Sequence, residues 1–166
     1  MDIAKQIIDQ RVNKILNDNP ELFSDVDQER KRSKAFLLLG VAAYLDIDIA
    51  EAVQFITDGG NDGGFDAAYI AEAQDSQLNV VLFQSKYSRK LENESNFPAN
   101  AVEKAVNTVK CVFDPEATIQ LNEKSREKVD EIRSFILDGH IPYVTFVMLN
   151  NGLKWNQDGQ NHIDNA

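Results

Sequence analysis

Residues 58–64 read Asp-Gly-Gly-Asn-Asp-Gly-Gly and hold four of the chain's eight glycines. So dense a glycine run sustains neither helix nor strand, because each glycine loses the most backbone freedom on ordering. It therefore divides the chain into two textures. Ahead of it, apolar residues recur at helical spacing. Behind it come two runs that alternate with period 2, then two further helical stretches and one more apolar run. Helices on both faces of a mixed sheet are the simplest architecture for that order, so the fold class is α/β.

The helical part spans residues 1–57. Ile3, Ile7, Ile8, Val12, Ile15 and Leu16 predict an amphipathic helix over residues 2–17, stopped by Asn17-Asp18-Asn19-Pro20. A second helix is predicted over 25–45. Its first half is charged and its second half is apolar nearly all round, which predicts burial of that half. A third, over 49–56, has Asp48 as N-cap and Glu51 completing a capping box.

The motif-bearing core spans 58–155. Residues 65–70 and 78–87 predict two strands joined through the polar stretch 72–77 as an antiparallel hairpin. Val102, Ala105, Val106, Val109, Val112 and Phe113 predict a helix starting near Pro98. Residues 123–137 predict another, with Gly139 at its C-terminal end. Residues 143–149 predict a buried strand closed by Asn150-Asn151-Gly152. From Lys154 the sequence turns polar, and residues 162–166 read as the start of another element. The expected organisation is a single domain over 1–166, with the option that it is the N-terminal part of a longer protein.

Composition narrows the class. At 43% hydrophobic and 27% charged, the chain reads as a folded domain. One cysteine, Cys111, excludes an internal disulfide and a cysteine-rich zinc site, and fits a cytoplasmic setting. The longest apolar run, residues 35–45, is too short to span a bilayer as a helix, so no membrane association is expected. A net charge of −10 argues against unselective binding to nucleic acid or anionic lipid. It leaves room for a local basic cleft.

Period 2 puts Gln84 and Lys86 on one strand face, ~6–7 Å apart. Pairing of the two strands would bring Asp66 alongside, in one small cluster open to solvent. An acid, an amide oxygen and an ammonium at the end of an apolar hairpin are costly unless they have a task. Metal-assisted phosphodiester hydrolysis needs such a set. Mg²⁺, with Mn²⁺ as substitute, takes few oxygen ligands from protein and fills its shell with water. Asp66 would give a carboxylate, Gln84 its side-chain oxygen, and Ser85 its backbone carbonyl. Lys86 would activate the attacking water or stabilise transition-state charge. The glycines before Asp66 would let backbone approach a phosphate.

The segments DGGNDGGFDAAYI and VVLFQSKY resemble the core of the PD-(D/E)xK nuclease superfamily in a Q-x-K variant. More closely, they resemble the N-terminal domain of the abortive-infection phage-resistance (AIPR) family of bacterial proteins. The later IPYVTFVMLNNGLKW is also similar to that family, which extends the likeness over roughly residues 35–155. The resemblance implies a restriction-endonuclease-like α/β/α core with additional N-terminal helices, Mg²⁺-dependent nuclease chemistry and a part in phage defence. It matches Asp66 to the superfamily's strand aspartate and Lys86 to its lysine. Gln84 stands where Glu or Asp is usual, a neutral and weaker ligand. Many members supply another acid from the first core helix, for which Glu29 is the candidate.

Each of these residues also has a structural reading. Asp66 could cap a turn, Lys86 protect a strand edge, and Gln84 make an ordinary hydrogen bond. Asp62 is a second candidate ligand, but its place in the glycine run suits turn geometry equally. Glu29 and the cluster Arg30-Lys31-Arg32-Lys34 read as a solvated helix face or as phosphate contacts. Lys86, Arg89 and Lys90 adjoin the proposed site and are the candidate nucleic-acid contacts. Cys111 falls on an apolar helical stripe. His140 and His162 have no partner motif, and no Ser-His-Asp arrangement is evident. Two functions follow. One is a Mg²⁺-dependent endonuclease acting on DNA more than RNA, with a homo-oligomer as an option. The other is a catalytically inactive nuclease-like module that binds nucleic acid or a protein partner as sensor or scaffold.

Overall fold

The computed structural model describes residues 3–24, 26–57, 63–72, 75–88 and 95–166, with only the backbone at Glu29 and Glu72. Among them the chain forms α1 (Ile3–Asp18), α2 (Gln28–Leu45), α3 (Ile49–Ala52), β1 (Ala67–Glu72), β2 (Gln77–Lys86), α4 (Ala99–Phe113), α5 (Glu123–Leu137), β3 (Ile141–Asn150) and α6 (Gln157–Asp164). Short 3-10 turns follow α1 and α3. The strands form one sheet in the order β1-β2-β3. β1 and β2 are antiparallel neighbours, as their alternation predicts, and β2 runs parallel to β3. The crossover through α4 and α5 is what a parallel pair requires.

β2 is the central strand, and its two faces feed two cores. Phe83, with Ala67 on β1, packs with Val12, Ile15, Phe36, Leu38 and Val41 of α1 and α2. Leu78, Val80 and Leu82 pack with Ala68 on β1 and with Val112, Val129 and Ile132 of α4 and α5. The result is an α/β/α layering around a mixed sheet. Among the described residues no helix is long and apolar enough to cross a membrane.

Local chemistry sets the element ends. The Asp27 carboxylate accepts from the Arg30 amide at 2.9 Å and so starts α2 at Gln28, three residues after the predicted start. Asp48 caps α3 by accepting from the Glu51 amide at 2.7 Å, as predicted. Asn122 accepts from the Ser125 amide at 2.9 Å and donates to the Thr57 carbonyl at 3.0 Å, which ties α5 to the chain leaving α3. Arg133 of α5 donates to the carbonyls of Val112, Cys111, Asp114 and Ala117, satisfying groups that the end of α4 leaves open. Ile3 and Ile7, counted in the apolar stripe of α1, stay exposed. A Cβ on Gly40 would lie 2.3 Å from Leu149, so the glycine lets α2 press onto β3.

Three expectations are corrected. β3, expected as a buried strand, has no fully buried residue, and Tyr143 and Val144 are exposed. The element expected to start at residue 162 is a helix that already begins at Gln157. Asn156 caps it by accepting from the Gly159 amide at 2.9 Å. The first strand begins at Ala67, not Phe65. Gly63 and Gly64 turn the chain at φ +76° and +93°, and Phe65 enters the same core as Ala68. The alternation therefore breaks at Asp66, which sits in a bend before β1.

Candidate functional site

Asp66 is held by its backbone and by its side chain. Its amide donates to the Phe83 carbonyl at 2.6 Å, and its carbonyl accepts from the Thr57 amide at 2.9 Å. Its carboxylate Oδ2 accepts from the Ser85 amide at 2.6 Å. The acid thus lies at the end of the β1–β2 pair, against the backbone that links Gln84 to Lys86.

Gln84 is 4% exposed, not open to solvent as the sequence reading expected. Among the described residues its Oε1 has no hydrogen-bond partner, and neither does the buried Ser85 hydroxyl. An unsatisfied buried oxygen costs about 1–3 kcal/mol. Gln84 Oε1 is therefore an acceptor in want of a donor or a cation. By alternation Gln84 and Lys86 share the α4–α5 face of β2, while Ser85 faces α1 and α2. Lys86 is half-buried, and its ammonium has no ion-pair partner among the described residues.

The donor set fits a hard divalent cation thinly: one carboxylate, one neutral amide oxygen, and backbone carbonyl at Ser85. Among the described residues no group of three His, Cys, Asp or Glu side chains forms a metal cage. Of the other candidates, Asp62, Arg89 and Lys90 lie outside the described residues, and Glu29 is described only as a backbone position on α2.

The surrounding residues make the following contacts. Gly63 and Gly64 are buried against Leu121 and against Thr108 and Lys104, and Thr108 donates to the Gly63 carbonyl. They make room for Leu121 and α4. Arg30 pairs with Asp27 at 3.4 Å, and Lys34 donates to the Leu22 carbonyl at 2.8 Å. His140 Nδ1 lies 3.1 Å from the Phe135 carbonyl. A cavity of about 480 Å³ lies along α4 beside Gly63, with half-buried Cys111 in its wall. None of Asp66, Gln84 and Lys86 lines it.

Sequence reading missed two groups beside Lys86. The Tyr87 hydroxyl accepts from Arg32 at 2.9 and 3.1 Å and donates to Asp9 at 2.8 Å. Burial raises its pKa above the usual tyrosine value; the Asp9 contact adds to the rise, and the Arg32 bonds oppose it. The other is Asn151, only 1% exposed, whose amide pairs with the backbone of Ser88. Arg32 in the basic run could have flagged the first. Asn151 sits in a turn signature that hides the second.

No family model, no curated protein and no solved structure matches the chain.

Proposed function

We propose that this chain is a Mg²⁺-dependent endonuclease domain of restriction-endonuclease-like fold, cleaving DNA in the bacterial cytoplasm as part of anti-phage defence, and related to the abortive-infection phage-resistance family. The observation that carries the reading is the unpartnered Gln84 Oε1 in the same three-residue segment as Lys86 and the Ser85 amide that holds Asp66. A buried orphan acceptor next to a fixed carboxylate and a lysine is costly for a purely structural strand end. Such an acceptor would suit a hard cation, which takes oxygen ligands.

In this reading Asp66 and Gln84, with the Ser85 carbonyl, would hold Mg²⁺. Bound there, Mg²⁺ would supply an activated water, and Lys86 would stabilise charge growing on the phosphate. The test is nicking of supercoiled plasmid by purified protein with Mg²⁺ or Mn²⁺. Cleavage abolished by EDTA and by Asp66→Asn supports the reading. Cleavage that survives Asp66→Asn removes it.

The single described carboxylate favours a second reading, an inactive nuclease-like module that binds nucleic acid. Retention of a short DNA duplex with no cleavage in either metal would select it.

A further inference from the structure

The β2–β3 ladder ends at the pair Lys86 and Asn150. The chain beyond Lys86 is nevertheless held on both sides. On the sheet side, Asn151 Oδ1 accepts from the Ser88 amide at 2.7 Å, and Asn151 Nδ2 donates to the Ser88 carbonyl at 2.7 Å. A side-chain amide so replaces the missing backbone partner and carries the pairing past Lys86. Gly152, at φ +120°, lets the chain turn away while its amide donates to Asn150 Oδ1 at 3.0 Å. On the helix side, Tyr87 packs against Phe36 with ring centroids 5.5 Å apart, and its hydroxyl joins Arg32 of α2 to Asp9 of α1.

We propose that Asn151 is a positioning residue for Lys86, clamping Ser88 so that the β2 exit, and the ammonium upstream of it, keep one direction. Tyr87 is the second jaw of the clamp. The inference rests on the nuclease reading for its catalytic meaning and on the hydrogen bonds alone for its geometry. Asn suits the task because a buried amide supplies one donor and one acceptor in plane, matching a peptide unit. Leu of similar size supplies neither, and Asp supplies only the acceptor. A misplacement of about 1 Å at a reacting group can cost ~10²-fold in rate.

The experiment uses the full chain with Asn151→Leu, Asn151→Asp and Lys86→Ala, alone and combined, with folding checked by circular dichroism. Plasmid nicking with Mg²⁺ and with Mn²⁺ gives kcat and KM, and amide hydrogen exchange reads Ser88. We expect Asn151→Leu to lower kcat ~10²-fold with KM unchanged. In the Lys86→Ala background it should cost nothing further, because the group it positions is gone. Asn151→Asp should fall between, and Ser88 exchange should rise most in Asn151→Leu. Equal fold losses in both backgrounds, or a change in KM alone, would overturn the positioning role. Unchanged Ser88 exchange in Asn151→Leu would overturn the clamp whatever the activity. A wild type inactive in both metals, with Ser88 exchange rising as expected, would overturn the nuclease reading and leave the clamp standing.

Discussion

The Asp66 carboxylate and the Ser85 amide meet at 2.6 Å, which fixes an acid from the bend before β1 onto the middle of the Gln84-Ser85-Lys86 segment. Asn offers a side-chain oxygen at the same place without the charge. We therefore expect Asp66→Asn to keep the fold and lose divalent-dependent cleavage. Asp66→Ala also loses a charge-assisted hydrogen bond and should cost ~1.5–3 kcal/mol in urea unfolding. An Asp66→Asn protein that cleaves like wild type would assign the acid a structural task only.

Gln84 offers a sharper contrast. Its buried Oε1 is unsatisfied, so Gln84→Leu should be neutral or stabilising while removing divalent binding. Gln84→Glu should bind the metal more tightly, since it adds a charge beside the cation. Thermal unfolding and calorimetry, with and without a short DNA duplex, check both. A Gln84→Leu chain destabilised by several kcal/mol would mean that the oxygen already has a partner in solution.

Lys86→Ala should lower the cleavage rate ~10²–10³-fold with circular dichroism unchanged, as expected when one preorganised donor to a developing charge is removed. Nicking at the wild-type rate by the folded variant would take Lys86 out of the mechanism.

Tyr87 gives a pH signature. Burial raises its folded pKa, so the folded chain holds the phenolic proton longer than the unfolded chain does. Its contribution to stability is whole below the unfolded value of about 10 and is lost as pH rises through the folded value. We expect urea midpoints to decline above about pH 10 in wild type and less steeply in Tyr87→Phe. At neutral pH the loss of its hydrogen bonds should cost about 0.5–1.5 kcal/mol per bond. Parallel alkaline profiles for the two proteins would refute this account.

The hairpin, the caps at Asp48 and the span of α5 were legible because each rests on a local pattern: period 2, a capping box, period 3.6. Asp66 was read as the second residue of a strand because Phe65 and Ala67 seem to flank it in alternation. The two left-handed glycines reset that phase, and nothing in the periodicity carries backbone φ. The burial of Gln84 was invisible for a related reason. A polar residue two places from a strand end looks wet until the covering helix is in place. Asn151 was hidden by chemistry that turns and clamps share, since Asn-Asn-Gly suits both. The start of α6 at Gln157 was missed because the helix is short and polar, with Ile163 as its one large apolar side chain.

The parallel β2–β3 pairing has a kinetic consequence. β1 and β2 are joined through Asp75 and Ser76, both left-handed, and close over a short loop. β3 can pair with β2 only after residues 87–140 have collapsed into α4 and α5, at a larger entropic cost of closure. Asn151 lies at the far end of that later pairing. A growing ribosomal chain would thus carry a formed hairpin well before its Lys86 end was complete, so any nuclease would switch on only as synthesis of this stretch finished. We expect φ-values for folding to be high at Val80 and Leu82 and near zero at Asn151, measured from chevron plots of conservative variants.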